Sequence, residues 1–213
     1  DVLPLWVADM DFRTPDFIME AIRSRMGHEI LGYTYRGDAF YEAIIRWVRM
    51  RYGWEIERDW ITFSPGVVSA ITVAVQSLTH RGEKVVVQPP VYFPFFESIR
   101  GSGRKMVENP LKITTNRYGF DLEDLESKLD DNTRMLLLCN PHNPGGMVWK
   151  REELVALEEV CRKHSLIVVS DEIHSDLVFK PNVHTPIIKV AEDYLHRIIL
   201  AMAPSKTFNL AGM

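Results

Sequence analysis

Five short segments carry side chains whose type and spacing could do chemistry. Asp171-Glu172-Ile173-His174 puts a carboxylate directly behind the apolar run 166–170. Such a group is costly to desolvate unless a cation meets it, although helix capping or a surface ion pair would also account for it. Asp171 and Glu172 are adjacent and point in different directions on extended backbone, which argues against one shared two-carboxylate site of the glycosidase or metal kind. Pro204-Ser205-Lys206-Thr207 sets an amine beside a hydroxyl after a second apolar run. In solvent Lys206 is an ordinary charge; buried among other groups, its amine could lose a proton and attack carbonyls.

The other three segments are loops. Asn140-Pro141-His142-Asn143-Pro144-Gly145-Gly146 is a rigid turn bearing two amides and an imidazole. Turn formation explains its prolines and glycines but not the two Asn-Pro pairs behind an apolar run, so structure and function weigh equally there. In Ser64-Pro65-Gly66-Val67-Val68-Ser69, a glycine followed by a helix start could offer free amides to a phosphate. Taken alone, a plain turn into a helix accounts for it better, since neither a P-loop nor a dinucleotide fingerprint fits. Gln88-Pro89-Pro90-Val91-Tyr92-Phe93-Pro94 is stiffened by prolines, and its Tyr92 could lie against a flat ring or simply pack in the core.

These segments need elements to position them, and the hydrophobic pattern supplies the elements. Helices are expected over 14–27, with Thr14 as cap, Pro15 at the first position and Gly27 as stop, and over 38–52, ended by Gly53. Then short β-branched runs alternate with helical periods. Strands are expected at 60–64, 84–88, 104–108, 134–139, 166–170 and 198–203. Helices are expected at 67–78, 92–99, 122–129 and 152–164, with a short one near 187–191. Runs such as Val85-Val86-Val87 and Ile167-Val168-Val169 are apolar throughout, as strands are when helices cover both faces of a sheet. The fold class is α/β with a mostly parallel sheet. Ligands of such sheets settle beyond the carboxyl ends of the strands, where the five segments fall.

Composition narrows the function classes. At 213 residues with 46% apolar content, the chain can bury a substantial core. Its 25 Lys+Arg against 29 Asp+Glu leave a net charge of −4, without the excess cation of a nucleic-acid binder. No apolar stretch reaches the roughly 20 residues that span a bilayer. The opening residues lack the basic and apolar regions of a signal peptide, and a cytoplasmic location without membrane attachment is expected. Cys139 and Cys161 lack redox or metal-ligand spacing and read as small core residues; no metal is expected. The charges on 152–159 read as a solvated helix face. The ends, Asp1 without an initiating Met and Ala211-Gly212-Met213, lead us to expect a fragment or a truncated product.

The ordered set of motifs resembles the pyridoxal 5'-phosphate (PLP) enzymes of fold type I, aminotransferase class I/II, and within them the cystathionine β-lyase-like C–S lyase branch. It comprises Trp6-Val7-Ala8-Asp9-Met10-Asp11-Phe12, Gly32-Tyr33-Thr34-Tyr35, the five segments above and the stretch through Phe208-Asn209-Leu210-Ala211-Gly212. The resemblance covers essentially the whole chain, and its opening motif and Asp-Glu-Ile-His favour the lyase branch. It implies that Lys206 bonds to the cofactor's aldehyde and then moves the substrate's Cα proton. It implies that Asp171 pairs with the pyridine nitrogen, Asn143 donates to the ring oxygen, His174 stands where many aminotransferases have a tyrosine, and Tyr92 stacks on the ring. The amides of Gly66, Val67 and Val68, with Ser205, would hold the phosphate, and Tyr33 would reach the phosphate of the partner subunit in a homodimer. Ala203 departs from the serine that many members carry three residues before the lysine.

By the same resemblance, residues 1–36 form an N-terminal segment with the first helix, and 37–213 an incomplete PLP-binding large domain. A further strand, a small C-terminal domain and the arginine for the substrate carboxylate would follow, so the sheet is expected to lack a strand and show unpaired edges. The expected activity is β-elimination from cystathionine- or cysteine-type thioether amino acids, giving thiol, pyruvate and ammonia. An aminotransferase would use the same lysine and aspartate, and a catalytically silent fragment acting only by association is the third reading.

Overall fold

The computed structural model describes Val2 and residues 7–213; Trp6 of the opening motif lies outside the described residues. The chain forms two compact units, one from residues 1–63 with 204–213 and one from 64–203.

In the first unit, α1 (Asp16–Met26) and α2 (Asp38–Tyr52) fall close to their expected spans. The start of α1 differs in detail. Pro15 is the N-cap itself, and the Thr14 hydroxyl, instead of capping, donates to the Asn209 carbonyl at 3.4 Å. Gly53 ends α2 at φ 59°, a left-handed conformation that glycine adopts without strain. The strand expected at 60–64 does not form. Arg58–Trp60 is one turn of 3₁₀ helix, and no described residue pairs with the extended backbone that follows.

The second unit is built in the order α3 (Val67–Leu78), β1 (Lys84–Val87), α4 (Pro94–Arg100), β2 (Lys105–Glu108). It continues with β3 (Lys112–Thr114), β4 (Arg117–Gly119), α5 (Leu122–Lys128), β5 (Thr133–Cys139), α6 (Arg151–Lys163), β6 (Ile167–Asp171) and β7 (Ile198–Ala201). Two 3₁₀ segments, Ile187–Lys189 and Glu192–Arg197, stand where one short helix was expected. The chain then returns to the first unit through α7 (Pro204–Thr207).

The main sheet has the order β2-β1-β5-β6-β7 with every pair parallel. Val85–Val87 and Met135–Leu138 are at most 1% exposed, so the central strands are buried on both faces. A fully buried Val, Leu or Met contributes about 1.5–3 kcal/mol. The hairpin of β3 and β4 was not expected from the sequence, because Thr115 and Asn116 turn it at positive φ without a glycine. It is fastened by the Arg117 guanidinium, which donates to both carboxylate oxygens of Glu153 and to the Val148 carbonyl. Glu153 also accepts from the Lys150 amide at 2.7 Å, capping α6. Among the described residues, no helix is long and apolar enough to cross a membrane.

Candidate active site

Strand register brings three strand ends to one level. Cys139 pairs with Asp171, and Asp171 with Ala201, so β5, β6 and β7 finish side by side at the carboxyl edge of the sheet. Val67 at the start of α3 belongs to the same buried cluster as Cys139 and Ala201, and Tyr92 packs against it. The second unit thereby gathers Gly66-Val67-Val68, Tyr92, Asn143, Asp171 and His174 at one edge. Tyr33, Ser205 and Lys206 belong to the first unit.

Gly66 has φ 112° and ψ 156°, a conformation essentially confined to glycine. It turns the chain into α3, whose first amides have no intrahelical acceptor and no side-chain cap. Their N–H groups and the positive end of a twelve-residue helix suit an anion. Half-buried Tyr92 follows the cis Pro89-Pro90 peptide, with its ring 5.4 Å from that of Phe93.

The turn after β5 is tied down atom by atom. Both Asn-Pro peptides are cis. The His142 amide donates to the Met147 carbonyl at 2.8 Å, and the Gly146 amide to the His142 carbonyl at 2.9 Å. The Asn143 amide donates to the Cys139 sulfur at 3.3 Å, while the thiol donates to the Pro141 carbonyl at 3.4 Å. Burial pushes that thiol up to about 12, so it stays protonated and serves as a fastener rather than a nucleophile. From the sequence alone Cys139 reads only as a small core residue. His142 is 4% exposed, and burial pushes its imidazole down to about 4, leaving it neutral at pH 7.

Asp171 is 5% exposed, and its carboxylate accepts from the Ile173 amide at 3.1 Å. Among the described residues no cation pairs with it. Desolvation is the main reason its carboxyl rises to about 6, with the neighbouring Glu172 adding to the rise and the Ile173 bond opposing it. A desolvated acid of this kind is matched by a ring nitrogen that carries a proton. His174 is half-buried in the turn that follows.

In the first unit, the half-buried Lys206 ammonium donates to the Ala8 carbonyl at 3.2 Å, and Tyr33 is fully exposed in the irregular stretch 27–37. The Ser205 carbonyl accepts from the Leu210 amide at 2.8 Å. Asn209, quoted in a motif but given no role there, is the clamp of this region. Its side-chain amide donates to the carbonyls of Met10 and Phe12 at 2.8 and 3.1 Å, and its oxygen accepts from the Met10 amide at 3.2 Å. The opening motif and the lysine segment are thereby bound together. Asparagine tolerates the φ of 55° found at this position.

A mostly parallel sheet flanked by helices, with an uncapped glycine turn and a buried acid at its carboxyl edge, is the arrangement in which open α/β sheets place their ligand sites. Over residues 1–213 the sequence matches the family Aminotransferase class I and II, and the chain belongs to that family. It is 48% identical to cystathionine beta-lyase PatB of Bacillus subtilis (strain 168), over all of this chain and 55% of that protein. Cystalysin from Treponema denticola, solved with a pyridoxal 5'-phosphate cofactor, superposes with TM-score 0.95 at 39% identity over 99% of this chain and 54% of its own. A PLP-bound putative aminotransferase from Clostridium difficile 630 gives TM-score 0.95 at 41% identity, over 100% and 55% of the two chains. The chain thus spans about half the length of the relatives it matches.

Proposed function

We propose that the protein is a PLP-dependent C–S β-lyase acting on cystathionine- or cysteine-type thioether amino acids. The observation that carries this reading is Asp171, a desolvated carboxylate without a cation, at the strand level of the Asn143 turn and beside the uncapped start of α3. The similarity to cystathionine beta-lyase PatB favours elimination from Cβ.

In this reading the amides of Gly66, Val67 and Val68, with the Ser205 hydroxyl, hold the phosphate. Tyr92 covers one ring face, and Asn143 and His174 orient the ring oxygen side. Asp171 keeps a proton at the ring nitrogen. Bound PLP supplies an electron sink for the charge that develops at the substrate's Cα. The Lys206 amine would hold the cofactor through its aldehyde carbon and would serve as the base for the substrate's Cα proton. The C–S bond then breaks, the sulfur leaves as thiolate and takes up a proton, and water converts the remaining three-carbon fragment to pyruvate and ammonia.

The reading further includes a homodimer, in which Tyr33 serves the partner's site, and a cytoplasmic location. It keeps 1–36 as an N-terminal segment and 37–213 as an incomplete PLP-binding domain. A second reading, aminotransfer with the same Lys206 and Asp171, is favoured by neighbours described as aminotransferases.

The test supplies PLP and cystathionine, without a keto acid, to the protein expressed from its complete reading frame. Pyruvate release that disappears in Lys206→Ala is expected. Turnover only in the presence of a keto acid would replace the lyase by the aminotransferase, and a borohydride-fixed adduct on another lysine would overturn both. Pyruvate from the longer protein but not from the 213-residue chain would assign the chain the silent, associating role.

A further inference from the structure

Behind Asp171 lies a polar cluster that the proposed chemistry does not use. Glu172 is wholly buried, yet its carboxyl group has four hydrogen-bond partners. One oxygen takes the Ser170 hydroxyl at 2.9 Å, the Ile187 amide at 3.0 Å and the Asn140 side-chain amide at 3.3 Å. The other lies 2.6 Å from Nε2 of the buried His184. Asn140 adds two further links: its main-chain amide donates to the Asp171 carbonyl at 2.9 Å and its side chain to the Thr185 carbonyl at 3.0 Å. The Glu172 amide donates to the Ala201 carbonyl at 2.9 Å, which joins the cluster to β7.

Burying a carboxylate against an imidazole is a poor source of net stability, because the desolvation penalty consumes most of the attraction. What the arrangement supplies is geometry. Ser170 and Glu172, on either side of Asp171, are held by one carboxylate. On extended backbone the Asp171 side chain must then emerge on the opposite face from Glu172. The same carboxylate grips Asn140, the first residue of the turn that carries Asn143. One side chain thus sets the direction of two candidate cofactor contacts at the ends of adjacent strands.

We propose that Glu172, braced by His184, is a positioning residue that orients Asp171 and the Asn140–Asn143 turn toward the cofactor. The proposal rests on the reading of Asp171 and Asn143 as PLP contacts. It makes a claim of coupling: losing Glu172 costs PLP affinity through those two residues and not through the fold at large.

Double-mutant cycles on PLP dissociation constants test this in the protein expressed from its complete reading frame, with urea unfolding of each cofactor-free variant alongside. Glu172→Ala is expected to weaken PLP binding by about tenfold or more, in the range seen when groups that orient metal ligands are removed. That loss is expected to shrink severalfold in an Asp171→Ala or Asn143→Ala background and to persist in full with Tyr92→Ala, whose residue lies on another strand end. Glu172→Gln, which keeps the acceptor oxygen, is expected to restore affinity to within about threefold of the parent. If Glu172→Ala does not fold, His184→Ala takes its place in the same cycles. Additive losses with Asp171→Ala, equal coupling to Tyr92, or a glutamine variant no better than alanine would each overturn the inference. Unchanged PLP affinity in Asp171→Ala alone would instead overturn the underlying site reading, and the inference with it.

Discussion

At the scale of single residues, pH separates the cost of the site from its use. An acid raised on folding from 3.8 to about 6 binds its proton more tightly in the native than in the unfolded state. Between those values the native state holds more protons, so the contribution of Asp171 to stability falls as pH rises, by about 3 kcal/mol in all. His142, pushed down from 6.5 to about 4, has the opposite sign: its contribution is present above pH 6.5 and is lost as pH falls toward 4. The two largely offset each other in the parent. Asp171→Asn removes one side of that balance while keeping an oxygen for the Ile173 amide. Urea unfolding of the cofactor-free protein should therefore show the variant more stable than the parent at pH 7, by up to about 3 kcal/mol, with the difference vanishing near pH 4. A difference independent of pH would show that the Asp171 carboxyl is not desolvated. Adding PLP should reverse the order at pH 7, since the ligand stabilises whichever form binds it better.

At the scale of elements, two turns carry the proposed site, and each contains a glycine that geometry requires. A Cβ at Gly66 would meet nothing within 4 Å, so Gly66→Ala acts through backbone conformation alone, at φ 112°. It should lower stability by about 1–3 kcal/mol and weaken PLP binding by reorienting the first amides of α3, read as urea midpoint and PLP dissociation constant. Gly145 is the opposite case. Its φ is ordinary, but a Cβ there would lie 2.5 Å from Nδ1 of His142 and 2.9 Å from the Tyr118 ring. Gly145→Ala should cost about 1–3 kcal/mol by forcing those rings apart, and removing one of them in Gly145→Ala/Tyr118→Ala should recover part of the loss.

Much of this organisation was legible in the sequence for physical reasons that can be named. The span 67–78 was expected to be helical and α3 occupies it; the wholly apolar runs became buried parallel strands. What was not legible depends on partners distant in sequence. Residues 60–64 have strand composition, but a strand exists only where another backbone pairs with it, and no described residue does so. The hairpin of β3 and β4 is secured by Arg117 to Glu153 across 36 positions, which local propensity does not register. Asp171 was singled out from its place behind an apolar strand. The roles of Cys139, Asn209 and Glu172 appear only once their bonding partners are in view.

At the scale of the whole molecule, the sheet ends on a strand that edges seldom use. β7 pairs with β6 on one side, and among the described residues nothing pairs with its other side. Its sequence, Ile198-Ile199-Leu200-Ala201, carries none of the charges, prolines or bulges that discourage edge-to-edge pairing. Large apolar side chains are exposed as well: Phe12, Phe17 and Tyr33 in the first unit, and Val73, Phe93 and Phe179 in the second. An isolated exposed apolar residue needs no explanation, but an unprotected edge together with several of them favours association. The 213-residue chain should therefore sediment with an average mass that rises above 24.6 kDa as concentration increases, and its urea midpoint should rise with it. Saturating PLP should strengthen the effect if two copies complete each other's sites, and should leave it unchanged if association runs through the strand edge alone. A single monomeric species across the whole concentration range would mean that β7 is shielded in solution and that the 213-residue chain does not form the proposed homodimer by itself.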